Sequence, residues 1–270
     1  FKEWGISRIR IFVKVRDSRL IEEVVSCELF PCDSIIPFGC EWSVYNYEKI
    51  THSDIEFMAR LRHLTYAIEY QGLHAADADK LDVEEIKEKT RYEWFSRWSQ
   101  VQRNSNIYAC MSLRLKLHLT GYDYLPSGQS QSFSAEFMQK YTQGHPINYY
   151  EKAVCGKKAV RYNNEDFEVP SLRRTYAMLE HQRWNAYMIA SGFIPSSIAE
   201  ISSPDRGKLY GIRKHGNITT FEGLKQYRKI VAQSSGKTEE QTDVIRYDYQ
   251  LMDDAVWLLD SCGYQIVKKA

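Results

Sequence analysis

The pattern of apolar and polar positions changes character about a fifth of the way along the chain. At the start, Ile9-Arg10-Ile11-Phe12-Val13-Lys14-Val15 alternates apolar and basic residues and is rich in β-branched side chains, which predicts a strand. Asp17-Ser18 supplies an N-cap for a short amphipathic helix over 19–25, and Ser34-Ile35-Ile36-Pro37-Phe38 reads as a second strand closed by Pro37 and Gly39. This is a β-α-β fragment without a front half. It has no GxGxxG turn to hold a pyrophosphate. Residues 1–50 are therefore expected to be the end of a truncated α/β, Rossmann-like domain, and the chain a piece of a longer protein.

From about His52 the spacing becomes helical. Ile55, Met58, Leu61, Leu64 and Ile68 predict a helix over 54–71 ending near Gly72, and residues 84–98 are charged early and aromatic late. Ile107, Cys110 or Met111, Leu113 and Leu117 predict a helix over 105–120, stopped at Gly121. Residues 126–134, rich in Gly, Ser and Gln, read as a loop, and 133–170, with Gly144, Pro146 and Asn163-Asn164, as short helices joined by turns. Ser171 caps a long helix over 171–191, Thr219-Thr220 precede one over 221–233, and Thr242-Asp243 open a last one with the seam Ile245, Tyr249, Met252, Val256, Leu259. The fold class expected is mainly α: a helical linker or pseudo-repeat over 51–170 and a helical domain over 171–270, behind the α/β segment. Gly121-Tyr122, Gly192-Phe193 and Gly263-Tyr264 each follow a helix at intervals of 71 residues. Glycine there takes a left-handed conformation and the next ring folds back on the last turn, so the interval reads either as a duplicated unit or as recurring terminator chemistry.

Composition narrows the function. Lys and Arg total 36 against 35 Asp and Glu, a net charge of +1, which argues against wrapping duplex nucleic acid through bulk charge. Apolar residues at 43% and charged residues at 26% exclude a disordered chain. The six cysteines Cys27, Cys32, Cys40, Cys110, Cys155 and Cys262 form no CxxC pair, so reduced thiols in a cytoplasmic setting are expected and no zinc site. No window approaches the roughly 18 apolar residues of a membrane span, and no segment reads as a signal peptide. Aromatics reach 13%, with 19 Tyr and 6 Trp, enough for an aromatic core or for a stacking pocket around a planar ligand. GxSxG, HExxH and P-loop signatures are missing, the seven His residues have no metal-ligand spacing, and Asp253-Asp254 and Asp77 with Asp79 read as solvated or capping carboxylates. The expectation is a non-enzyme without cofactor or metal.

Leu179-Glu180-His181-Gln182-Arg183-Trp184-Asn185-Ala186 with Ser191-Gly192-Phe193, then Arg213-Lys214-His215-Gly216-Asn217-Ile218 with Phe221-Glu222-Gly223-Leu224, then Asp253-Asp254-Ala255-Val256-Trp257-Leu258-Leu259 before Gly263-Tyr264, resemble the ryanodine-receptor repeat (RyR domain) over roughly 171–270. Phe193 and Tyr264 stand where that family usually has Trp, and Gly216 where it commonly has Pro. Ile36-Pro37-Phe38-Gly39, Arg62-His63-Leu64, Trp98 and Arg103-Asn104-Ser105-Asn106, ahead of Leu115 and Gly121, resemble the region between a TrkA-N-type Rossmann domain and an RyR domain in bacterial multidomain proteins. The resemblance implies a ligand-sensing regulatory module, some relatives of which are thought to act in antiphage signalling through a nucleotide-derived messenger. It also implies a full-length protein that can carry membrane segments upstream, of which this chain would be the soluble part.

The matched residues suit such a role. Arg183 offers a planar fork to a phosphate or carboxylate, Trp184 a face to a base, and His181, one turn away, a group that donates or accepts near neutral pH. Arg103, Asn104, Ser105 and Asn106, at an expected helix start, suit an anion. With Glu180, Lys214 and His215 they form the candidate site for a small anionic or nucleotide-like ligand, clasped by Arg103 and Arg183. Each also has a plainer reading: Glu180–Arg183 as an intrahelical ion pair, Trp184 as core, Asn104 to Asn106 as a cap, Lys214 and His215 as a solvated loop. An oligomerising interaction module without small ligand, and a hydrolase of a nucleotide signal, are the rival functions.

Overall fold

In a computed structural model of the protein, the residues described are 11–14, 35–38, 54–74, 83–154, 157–160, 162, 168–239 and 241–269. The chain divides into two compact units, Phe1–Asp54 and Ile55–Ala270. In the first, strands β1 (Ile11–Lys14) and β2 (Ile35–Phe38) pair in parallel, Ile11 opposite Ile35. The helix expected over 19–25 lies outside the described residues, as do Asp77, Asp79 and Asn163-Asn164.

The described part of the second unit is mainly helical, its elements running α1 (Asp54–His74), α2 (Val83–Tyr92), a π-helical turn (Glu93–Arg97), α3 (Gln100–Leu119), β3 (Tyr122–Pro126), α4 (Ser134–Tyr141), a hairpin of β4 (Tyr149–Val154) and β5 (Lys157–Val160), and α5 (Leu172–Ala190). Then follow β6 (Ile194–Pro195), α6 (Ile198–Ser202), a 3₁₀ segment (Pro204–Ile212), β7 (Lys214–His215), α7 (Gly223–Ser235), α8 (Arg246–Asp253), α9 (Ala255–Ser261) and β8 (Tyr264–Lys268). None of the described helices is long and apolar enough to cross a membrane.

Two helices carry most of the architecture. Helix α3 is opened by Ser99, whose hydroxyl accepts from the Gln102 N–H while the Gln102 side chain accepts from the Ser99 N–H. This reciprocal cap sets the start at Gln100, five residues before the position the periodicity suggested. Its buried positions Asn106, Ala109, Cys110, Leu113, Lys116 and Leu117 repeat at three and four, one stripe along the helix. Helix α5 begins as expected at Ser171, whose hydroxyl accepts from the Arg174 N–H, and buries Arg173, Tyr176, Ala177, Glu180, His181 and Met188. α5 packs against α3 and α8, and α8 against α3.

One apolar core crosses the expected boundary near residue 170: Met58, Trp94, Leu113 and Leu117 meet Tyr176, Leu251, Leu258 and Ile266. Gly121, Gly192 and Gly263 all have left-handed backbones, at φ 86°, 84° and 77°, and each turn leads into a strand. β3 and β8, launched by Gly121 and Gly263, pair antiparallel with Tyr122 opposite Lys268. Where short helices were expected over 133–170, the described residues form α4 and then the β4–β5 hairpin. The last helix is likewise two, broken at Asp254.

Asp253 is not solvated. Its carboxylate accepts from Arg173 Nε at 2.8 Å and Nη2 at 2.7 Å and from the hydroxyls of Tyr141 at 2.7 Å and Tyr162 at 2.9 Å. A buried guanidinium and carboxylate in this two-point geometry satisfy each other, and the pair pins α5 to α8. Adjacent helical residues point apart, so the Asp253-Asp254 sequence did not show that Asp253 falls on the inner stripe with Tyr249 and Met252.

Candidate ligand-binding cavity

Between α1, α3, α5 and α8 lies a cavity of about 340 Å³, a volume in the small-molecule range. Arg62 and Tyr66 reach it from α1, Trp98 from the end of the π-helical turn, Gln102, Ser105 and Asn106 from α3, and Glu180, His181 and Trp184 from α5. Tyr210, His215, Asn217, Tyr247 and Asp248 close it. Five aromatic rings thus face a set of charged groups.

The floor is an ionic cluster around Glu180, which is 1% exposed. Lys116 Nζ donates to its Oε2 at 2.6 Å, Arg183 donates through Nε to Oε2 at 3.0 Å and through Nη2 to Oε1 at 2.8 Å, and Arg62 Nη2 to Oε1 at 3.4 Å. Burial alone would raise the Glu180 pKa, but Arg183, Lys116 and Arg62 outweigh it and hold the carboxyl well below the ordinary range. Three cations share one carboxylate, so the cluster carries an excess of positive charge. Arg62 has the weakest claim on that carboxylate: its other Nη donates to Asn106 Oδ1, and its buried Nε has no hydrogen-bond partner among the described residues. A guanidinium so placed at a cavity wall suits an anion, which would add charge-assisted bonds in a low-dielectric setting.

The cavity lining is also aromatic. Trp184 stacks on His181 with ring centres 6.2 Å apart and meets His215 edge-on at 5.0 Å. Trp98 is held by His63, ring centres 3.7 Å apart, whose Nε2 lies 3.1 Å from Glu93. Burial, helped by the charge on Arg62, lowers the His63 pKa to about 4, so the ring is neutral and its Nε2–H donates to Glu93.

His181 lies between two acceptors. Its Nε2 is 2.9 Å from the Thr219 carbonyl, which only accepts, so that nitrogen carries a proton; its Nδ1 is 3.1 Å from Asp248 Oδ2. The Nδ1–carboxylate contact therefore needs a second proton, shared by the pair. Burial raises the Asp248 pKa to about 6 against the pull of His181, and on His181 the hydrogen bond and charge of Asp248 outweigh burial, so its pKa is raised too. His215 is the opposite case. Burial lowers its pKa to about 4, its Nδ1 accepts the Asn217 N–H at 3.1 Å, and its Nε2 keeps the hydrogen.

The structure therefore divides the residues expected to form the site. Ser105, Asn106, Glu180, His181, Trp184 and His215 line this cavity. Arg183 and Asn104 do not; they line an outer groove with Tyr108 and Arg213. Lys214 lines a smaller cavity behind His215 and pairs with Glu200 at 2.5 Å. Lys214 and His215 are half-buried in β7, paired with β6, rather than a solvated loop. Arg103 donates to the Trp94 carbonyl and the Gln100 side chain and lines none of these cavities. The clasp of Arg103 and Arg183 does not form, because α3 starts earlier than expected: the Arg103 N–H already bonds the Ser99 carbonyl, so residues 103–106 are not a helix N-terminus. Glu180 and Arg183 are the intrahelical pair that their spacing allowed.

Arg62, Trp98, Asn217, Tyr247 and Asp248 are functional candidates that the spacing arguments passed over. A signal existed for two. Arg62 stands one turn after Met58 on the buried stripe of α1, and Asp248 falls between Ile245 and Met252 on that of α8; a charge within an apolar stripe needs a partner or a ligand. Among the described residues no group of three His, Cys, Asp or Glu side chains is placed to hold a metal ion. No protein-family model, curated protein or solved structure matches this chain.

Proposed function

We propose that the protein is a non-catalytic, ligand-sensing module of the ryanodine-receptor repeat type, taking a small planar anion, a nucleotide or a derivative of one, and passing its occupancy to a linked membrane or effector domain. The observation that carries this reading is that Arg62, with its incompletely engaged guanidinium and the surplus cations behind it, lines the same cavity as Trp98 and Trp184. Arg62 anchors a phosphate or carboxylate, Gln102, Ser105 and Asn106 offer further polar contacts, and the indoles stack on the planar part. His215 Nε2–H and the buried, unpartnered Asn217 Oδ1 provide one donor and one acceptor for a heterocycle's edge.

A thermal-shift panel of nucleotides tests it. A ligand present at 100 times its Kd stabilises by about 2.7 kcal/mol, a rise of roughly 5–11 °C for a unit of this size. Arg62→Gln and Trp184→Ala are expected to abolish the rise and Arg183→Gln to preserve it; no rise with any nucleotide refutes the reading, and turnover in the same panel makes the protein a hydrolase instead.

A second reading, an oligomerising interaction module, is favoured by Met111, Leu115 and Leu119, which form a single row on α3 and are 54%, 64% and 62% exposed. Sedimentation analysis of the wild type and Leu115→Lys decides it: a concentration-dependent dimer lost in the variant supports that role, and a monomer throughout removes it.

A further inference from the structure

Two cavities of the second unit share a partition. The smaller, about 260 Å³, is lined by Arg206, Lys214, Gly216 and Tyr227 and also by Tyr210 and His215, which line the larger one as well. Arg62 reaches only the larger cavity and Arg206 only the smaller, so the two guanidiniums stand on either side of the Tyr210–His215 wall.

Each half has a cation whose charge no neighbour fully meets. In the smaller cavity Lys214 is neutralised by Glu200, and Asp205 pairs outward with Lys208. Arg206 donates a single hydrogen bond, from Nη1 to Ser234 Oγ at 3.2 Å, and no carboxylate pairs with it among the described residues. The space beside it depends on glycine. A Cβ at residue 216 would lie 2.5 Å from the Tyr227 ring and 3.1 Å from Ile201, so a side chain there forces the ring to shift. The partition consists of two rings: His215, anchored through β7, meets Trp184 and Tyr210 edge-on, and Tyr210, which packs on Phe193 at 4.9 Å, is 38% exposed.

We propose that the two cavities are halves of one site and that its ligand carries two separate anionic groups, one held by Arg62 and the other by Arg206, with the planar ring in the larger cavity. This rests on the reading of the larger cavity given above and adds the second charge. A singly phosphorylated nucleoside fills the larger half; a molecule phosphorylated at two well-separated positions fills both.

The probes are a nucleoside 5′-monophosphate and the corresponding 3′,5′-bisphosphate, titrated by calorimetry into the wild type, Arg206→Gln and Gly216→Ala. A charge-assisted contact with Arg206 makes the bisphosphate about tenfold tighter or more in the wild type. Arg206→Gln removes that advantage and leaves the monophosphate affinity within about twofold of wild type. Gly216→Ala, whose added Cβ meets Tyr227 and Ile201 on the side of the smaller half, is expected to weaken the bisphosphate more than the monophosphate. Equal affinities for the two probes in the wild type, or an equal loss of both in Arg206→Gln, overturn the bipartite site while the larger cavity stands. Binding of neither probe overturns both readings.

Discussion

Glu180→Gln is the sharpest perturbation the structure suggests, because it removes the one carboxylate shared by Arg62, Lys116 and Arg183. The substitution keeps shape and some hydrogen bonding but leaves three cations, two of them nearly dehydrated, facing one another: Lys116 and Arg62 side chains are 5% and 12% exposed. Removing one partner of a buried pair costs about 3–5 kcal/mol, the larger figure applying where several charges lose the same counter-ion. For a unit of about this length that is a fall in Tm of roughly 6–20 °C by calorimetry or circular dichroism. Two controls separate charge from packing. Lys116→Met in the Glu180→Gln background takes away one uncompensated cation and is expected to lose less than the sum of the single variants. Phosphate or sulfate, filling the vacated negative position, is expected to restore more stability to Glu180→Gln than to the wild type. The pH dependence follows from the same cluster. Glu180 titrates lower in the folded than in the unfolded chain, so its contribution is full above about pH 4 and disappears as the pH falls further. A Tm loss under about 2 °C, or strictly additive variants, would refute the view that Glu180 holds these cations together.

Asp253→Asn is expected to cost about 3–5 kcal/mol in urea unfolding, since it leaves Arg173 buried and half-bonded, whereas a loss below about 1 kcal/mol would mean the pair is not needed to join α5 to α8. His181 and Asp248 both bind their proton more tightly in the folded state, so the stability they supply is full at low pH and declines as the pH rises through about 6 and beyond. The stability gap between wild type and Asp248→Asn should therefore narrow from pH 6 to pH 8, and a constant or widening gap in urea titrations would contradict the shared proton. Ser99→Ala removes a reciprocal cap and is expected to cost about 1 kcal/mol, read as a lower urea midpoint at unchanged m.

The legible part of this fold was its helical periodicity. The Ser171 cap and the three glycine terminators stand in the structure where the sequence placed them. Boundaries that depend on side-chain reciprocity were not legible: Ser99 with Gln102 is as good a capping box as any, but the polar run up to Asn106 hid it, and the start of α3 was set too late. The β4–β5 hairpin was missed because pairing between strands is a non-local property that its Tyr- and Lys-rich sequence does not announce. At the site, Glu180, His181 and Trp184 were identifiable by chemical type and helical spacing, Ser105 and Asn106 were singled out as a helix start that they are not, and His215 came from the resemblance of its loop. Arg62 and Asp248 were marked only as charges within apolar stripes and Trp98 not at all by spacing, because each comes to the cavity from a different element and packing brings them within reach. Arg183 shows the converse: its spacing to Glu180 was correct, and that same spacing turns its guanidinium to the carboxylate and away from the cavity.

The central claim is that the cavity between α1, α3 and α5 receives an anion at Arg62 and a planar group between Trp98 and Trp184. A crystal structure of the protein with the nucleotide that gives the largest thermal shift tests this most directly. The expected result is a phosphate oxygen within about 3 Å of an Arg62 nitrogen and a base over one of the two indoles. An empty cavity, or a nucleotide seated instead in the outer groove beside Arg183 and Arg213, would contradict it.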